Sequence, residues 1–177
     1  DFFALCAALA RCPLPLCAAV TGHSPAGGAV LAILCDYRVM ARSVDADKPF
    51  RIGLNEVQVG LVVPEVIQLA LRRLVGAYRA ERLMVAGTML TAEQAQALGF
   101  VDELAALDAV VPRARDWLAA LLALPPDALA ATRRIARADL AAAFADPASF
   151  GIDAFVDGWF APSTQAVLKA LVARLKK

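Results

Sequence analysis

Before Gly60 the apolar positions fall in short runs. Residues 16–20, 37–41 and 50–54 read as strands, and a short apolar helix over 29–34 separates the first two. Residues 1–10 read as the end of an amphipathic helix. Residues 43–48, with Asp45 and Asp47, read as a polar loop. Strands alternating with helices predict parallel α/β packing. After Gly60 the spacing turns helical. Pro64 and Glu65 suit a first helical turn, Ile67, Ala70, Leu71 and Leu74 form an apolar stripe, and Gly76 suits the stop. A helix over 78–86 follows. Thr91 and Gln94 then have capping-box spacing for a helix over 92–98 that ends at Gly99. Residues 100–103 read as extended. Helices are predicted over 107–122, 126–144, 150–160 and 163–175, with breaks at Pro125-Pro126 and Ala161-Pro162. The pattern gives an α/β core over residues 1–125 and a helical C-terminal region over 126–177.

Charge and composition narrow the function classes. The 177 residues carry 18 basic and 17 acidic side chains, net charge +1, with no long basic run, so no nucleic-acid partner is expected. Hydrophobic residues make up 60% of the chain, much of it helix-favouring alanine. Residues 12–35 carry no formal charge, a length that can span a bilayer. Pro13, Pro15, Gly22, His23, Pro25, Gly27 and Gly28 break that stretch, so a buried strand, turn and helix are expected, with no membrane partner. No basic segment opens the chain, so no signal peptide is expected. Cys6, Cys12, Cys17 and Cys35 form no C-x-x-C pair and only one histidine is available, so no metal site is expected. Reduced thiols fit a cytoplasmic-type compartment.

The chemistry concentrates in two places. In the first, an apolar strand runs through Thr21-Gly22-His23-Ser24-Pro25-Ala26-Gly27-Gly28 into a helix ending at Cys35-Asp36. Two glycines at a helix mouth leave backbone N–H groups accessible, and that mouth favours negative charge. For charge that appears only during a reaction, the same geometry is an oxyanion hole. In the second, Glu56 stands as an isolated acid in Gly53-Leu54-Asn55-Glu56-Val57-Gln58-Val59-Gly60. A fixed dipole and one carboxylate point to enolate chemistry.

Gly22-x-x-x-Ala26-Gly27-Gly28-x-x-Leu31-Ala32-x-x-Cys35-Asp36 resembles the crotonase, or enoyl-CoA hydratase/isomerase, superfamily. Pro64, Ala80-Glu81-Arg82 with Gly87, and Thr91-Ala92-x-x-Ala95-x-x-x-Gly99-x-Val101-Asp102 follow in matching order. The resemblance runs from Leu16 to about Arg137, with a family-like helical tail beyond. It implies a spiral core of ββα units. Hydratases of the superfamily resemble one another in carrying a second glutamate just after the glycine pair; here that position is Val30. With Cys35-Asp36-Tyr37-Arg38 and the Glu56 segment, the chain is most similar to the mitochondrial-type Δ3,Δ2-enoyl-CoA isomerase branch.

The resemblance implies conversion of 3-enoyl-CoA to 2-trans-enoyl-CoA in fatty-acid β-oxidation. It implies Glu56 as the proton carrier, Gly27 as an oxyanion donor, and Ala26, Gly28, Val30, Leu54 and Asn55 around the substrate. No cofactor is expected beyond the coenzyme A that the acyl-CoA substrate carries. A homotrimer or hexamer, in the cytoplasm of a bacterium or in the mitochondrial matrix, is implied as well. A second oxyanion donor and the adenine contacts come in the superfamily from a loop that precedes Asp1, so the N-terminal part of the fold is expected to be missing here.

Other readings stand beside these. Another crotonase-fold acyl-CoA enzyme, a hydratase or thioesterase, shares the fold, and a non-catalytic acyl-CoA-binding protein is a third class. Gly27 and Gly28 also suit close helix–strand packing. His23 reads as structural, Asp36 as a pairing or capping residue, and Glu65 as a helix-start charge. Arg72, Arg73, Arg133, Arg134 and Arg137 have two readings, CoA phosphate contacts or solvated helix faces. The second is preferred, because no phosphate-loop pattern accompanies them.

Overall fold

The computed structural model describes residues 2–175; Asp1 of the predicted first helix and residues 176–177 of the C-terminal region lie outside them. Helix α1 (Phe2–Arg11) leads into β1 (Cys17–Val20). β1 pairs in parallel with β3 (Tyr37–Ala41), Cys17 opposite Tyr37 and Val20 opposite Met40. β6 (Glu103–Ala105) pairs with the other edge of β3, also in parallel. A second sheet places β4 (Arg51–Gly53) between β2 (Ser24–Pro25), parallel, and β5 (Leu90–Thr91), antiparallel. Helix α2 (Gly27–Ile33) follows β2, and α3 (Glu65–Val75) follows β4. A strand of the first sheet, a strand of the second and a helix therefore occur twice in succession. That is the ββα spiral. Parallel neighbours need such crossovers, because a tight hairpin cannot join them.

The remaining helices are α4 (Ala77–Ala86), α5 (Ala92–Ala97), α6 (Val110–Leu122), α7 (Pro126–Ala136), α8 (Ala138–Ala143), α9 (Ile152–Phe160) and α10 (Pro162–Leu175). The predicted capping box is complete: Gln94 N donates to Thr91 Oγ1 at 3.3 Å, and Thr91 N donates to Gln94 Oε1 at 2.9 Å. Three expectations are corrected. The helix over 126–144 is two helices that break at Arg137, whose φ of −111° and ψ of 11° leave the α region. The extended piece over 100–103 lies later, at β6. Pro64 caps α3 from outside, with ψ 146°, and Glu65 opens the helix.

One core spans both predicted regions, since Leu140, Phe144 and Phe150 pack with Phe3, Leu34, Ile52 and Ile67. A smaller cluster of Val39, Ala41, Ala105, Val110 and Ala114 joins α6 to the first sheet. Burial pushes the Cys6 thiol up to about 11. Among the described residues no helix is long and apolar enough to cross a membrane.

Two ionic clasps hold the layers. Arg38 on β3 meets Asp102 Oδ2 at 2.6 Å, and its backbone N–H donates to the same oxygen at 2.8 Å. Asp36, at the end of the α2 turn, accepts from Leu16 N at 2.7 Å, from Arg133 Nη2 at 2.8 Å and from Arg137 Nη1 at 3.1 Å. Arg133 and Arg137 are thus not solvated helix faces. They tie α7 and its break to the core.

Candidate active site

Glu56 opens a 3-10 turn, Glu56–Val59, that leaves β4 through Leu54 and Asn55. Gly60 closes the turn with φ 81°, a left-handed conformation that glycine adopts without strain. The Glu56 carbonyl accepts from Leu61 N at 3.0 Å. The glutamate is 6% exposed, and its Oε2 is buried with no hydrogen-bond partner. Burial raises its proton affinity above that of an ordinary glutamate; a hydrogen bond from its own backbone opposes this less strongly.

Ala26 precedes α2 with φ 43° and ψ −112°, the one non-glycine residue with positive φ among those described. Such a backbone costs about 1–3 kcal/mol and persists where the surroundings enforce it. Here Ala26 N donates to Gly53 O at 2.9 Å, which docks the helix mouth onto β4. The first helical hydrogen bond runs from Val30 N to Ala26 O at 2.8 Å, so the N–H groups of Gly27, Gly28 and Ala29 have no acceptor within the helix. The two glycines differ. A Cβ on Gly28 would lie 2.7 Å from Ser24 Oγ, so a larger residue there requires that hydroxyl to move. A Cβ on Gly27 would meet only the Phe2 ring, at 3.6 Å, an ordinary contact. Packing does not require Gly27.

Glu56, Gly27, Ala26 and Val30 come together on a cavity of about 280 Å³. Leu61, Pro64 and Ile67 line it from the α3 side, Phe2 and Phe3 from α1, and Phe155 and Trp159 from α9. Among the described residues, Glu56 is the only ionisable side chain in that lining. The aromatic wall is continuous: Phe3 stacks on Phe150 at 5.8 Å and meets Phe155 edge-on at 5.8 Å. Three residues expected around the substrate, Gly28, Leu54 and Asn55, do not line this cavity. Gly28 lines a different cleft, with Ser24 and Cys35. Leu54 is 2% exposed within the core. Asn55 precedes the turn and does not line the cavity; its Oδ1 is buried without a partner.

His23 has a structural role: its Nδ1 accepts from Arg51 N at 3.2 Å, and its ring meets Phe50 edge-on. Sequence reasoning missed the aromatic wall. Its members lie near opposite ends of the chain, and no local spacing links them. Among the described residues no three His, Cys, Asp or Glu side chains come together to hold a metal ion.

A lone buried glutamate beside the mouth of a short helix, on a ββα spiral, defines the class. The chain belongs to the enoyl-CoA hydratase/isomerase family, whose model matches residues 1–161. It is 38% identical over 123 residues to mitochondrial enoyl-CoA delta isomerase 1 of Mus musculus, covering 69% of this chain and 41% of the relative. It is 36% identical over 126 residues to a probable enoyl-CoA hydratase of Mycobacterium tuberculosis, covering 71% and 46%. The crystal structure of human mitochondrial delta3-delta2-enoyl-CoA isomerase superposes with a TM-score of 0.88 at 29% identity, over 99% of this chain and 66% of that one. The chain spans about half the length of the curated relatives it matches.

Proposed function

We propose that the protein moves the double bond of a 3-enoyl-CoA to give the 2-trans-enoyl-CoA, as fatty-acid β-oxidation requires. The observation that carries this reading is that Glu56 is the only ionisable group on its cavity among the described residues. Hydration needs one group to activate water and another to protonate carbon. Moving a double bond needs one base that reaches both C2 and C4. Glu56 takes a proton from C2, and the electron pair passes into a dienolate with its charge on the thioester oxygen. The same proton returns at C4, leaving the double bond between C2 and C3. No external oxidant, reductant or water enters the balance, so the reaction needs no cofactor beyond the coenzyme A of its substrate.

The surroundings suit each step. Burial favours the protonated carboxyl that exists while the dienolate lasts. The N–H of Gly27 is the proposed donor to the thioester oxygen, a contact worth roughly 3 kcal/mol in such sites. Val30, 2% exposed, lines the cavity with an apolar side chain at the position where the resemblance puts a hydratase's second glutamate, and the aromatic wall gives the acyl chain an apolar bed.

The similarity to a probable hydratase keeps hydration as the competing reading. The two separate in one assay of the full-length protein, with 3-enoyl-CoA and 2-enoyl-CoA offered in turn. Isomerisation should exceed hydration by at least about 100-fold in kcat/KM, the usual scale of one acid–base group. Comparable values would assign the hydratase reading instead. We further propose assembly as a trimer or hexamer, since Val156 and Phe160 of α9 and Val172 of α10 are exposed. Light scattering that gives a monomer at micromolar concentration would contradict this.

A further inference from the structure

A second cavity, of about 340 Å³, lies at the other end of α1 from the aromatic wall. A ten-residue helix spans roughly 15 Å, so it is well separated from Glu56. Its lining is different in kind. Arg11, Arg133, Arg134 and Arg137 converge on it, the rest is alanine with Cys12 and Pro13, and no acidic residue lines it among the described residues.

The charges beneath this cavity do not balance. The side chains of Arg133 and Arg137 are only 10% and 12% exposed, and both lean on the single carboxylate of Asp36. Arg133 uses its remaining reach on the Cys12 carbonyl, and Arg137 on the Leu34 carbonyl at 2.8 Å. The Arg137 Nε is buried with no acceptor. Arg73, itself paired with Asp139, adds its positive field to Arg137 from α3. Arg11 and Arg134 are exposed and make no ion pair among the described residues. Basic residues in the last turn of a helix complement its dipole, which accounts for Arg133 and Arg134 on α7. It does not account for Arg11 arriving from α1, nor for a second buried guanidinium without a carboxylate of its own.

We propose that this cleft is a binding site for the phosphate group of a small molecule, distinct from the Glu56 cavity. Guanidinium forks match phosphate oxygens in geometry and charge. The cavity is larger than a bare phosphate, and its alanine floor leaves room for an uncharged organic body, so a phosphomonoester is the chemical class that fits.

Calorimetry on the full-length protein, at constant ionic strength in chloride buffer, tests this with four probes: inorganic phosphate, glycerol 3-phosphate, coenzyme A and its 3′-dephospho form. Glycerol 3-phosphate should bind in the millimolar range or tighter. The R11A/R134A double variant, which changes two exposed side chains, should weaken that binding at least tenfold, as two lost charge-assisted contacts require. E56Q should leave it unchanged. If coenzyme A also binds, loses affinity without its 3′-phosphate and weakens in R11A/R134A, the phosphate group comes from coenzyme A and the site stands. No binding of any probe at about 10 mM, a concentration that reveals even weak sites, overturns the proposal. So does equal affinity in wild type and R11A/R134A. Neither outcome bears on double-bond isomerisation, which the Glu56 assays judge separately.

Discussion

Thr164 Oγ1 donates a hydrogen bond to the carbonyl of Gly60 at 3.1 Å and so fastens α10 to the turn that carries Glu56. The threonine is 1% exposed, and a Cβ on Gly60 would lie 2.7 Å from the same hydroxyl. A larger residue at 60 would push on that hydroxyl and would have to adopt a φ of 81°, which favours glycine. T164V keeps the shape and removes the bond. It should cost about 1–2 kcal/mol of stability and lower isomerase kcat by about 10- to 100-fold through misplacement of the base. KM should change little, and T164S should restore both properties. Thermal melts beside steady-state kinetics check this, and full kcat in T164V would show that the bond does not position Glu56.

E56Q removes the proton carrier and keeps its shape. Turnover of 3-enoyl-CoA should fall by about 10²–10⁴, while acyl-CoA binding persists. Residual activity above a few per cent would point to another base.

The same substitution should stabilise the protein at neutral pH. Burial raises the pKa of Glu56 in the folded state. The stability contributed by its protonated form is complete below the ordinary glutamate value and is lost as pH rises through the raised folded value. Glutamine is never charged, so E56Q should melt higher than wild type at neutral pH, on the order of a few degrees. The gap should close toward acid. Melting curves across pH test this, and a gap that does not depend on pH would contradict it.

Activity has the matching dependence. Only ionised Glu56 accepts the C2 proton, so kcat/KM should fall on acidification through a pKa above the ordinary glutamate range. A rate that holds constant down to the ordinary value would mean that the base is solvated during catalysis.

D36N tests the clasp. It leaves Arg133 and Arg137 nearly buried without a carboxylate, which should cost about 3–5 kcal/mol. Urea unfolding reads this directly. A loss below about 1 kcal/mol would be the behaviour of a solvent-screened surface pair.

Much of this architecture was legible where the signal is local. Thr91 and Gln94 announce their cap, and the apolar run over 37–41 is β3 to the residue. The two-residue strands Ser24–Pro25 and Leu90–Thr91 were not legible, because two positions carry no periodicity. Nor was the break at Arg137, where neither glycine nor proline marks the chain. Glu56 and Gly27 stood out because their neighbours form dense motifs. Phe2, Phe155, Trp159 and Thr164 are spread through apolar or alanine-rich helices, and only packing distinguishes them from ordinary core residues. Arg133 and Arg137 read as surface charge for the same reason, since their partner Asp36 lies about a hundred residues away.

The meeting of Phe3 and Phe155 at 5.8 Å sets a timetable for synthesis. One is among the first residues of this segment to leave the ribosome and the other among the last. At ~5–20 residues per second the nascent chain waits roughly 8–30 s for the wall around Glu56 to close. Through that interval α1 can pack on α2, but Phe3 lacks its Phe155 partner. A holdase that grips the emerging segment should therefore matter most before α9 appears and become dispensable soon after.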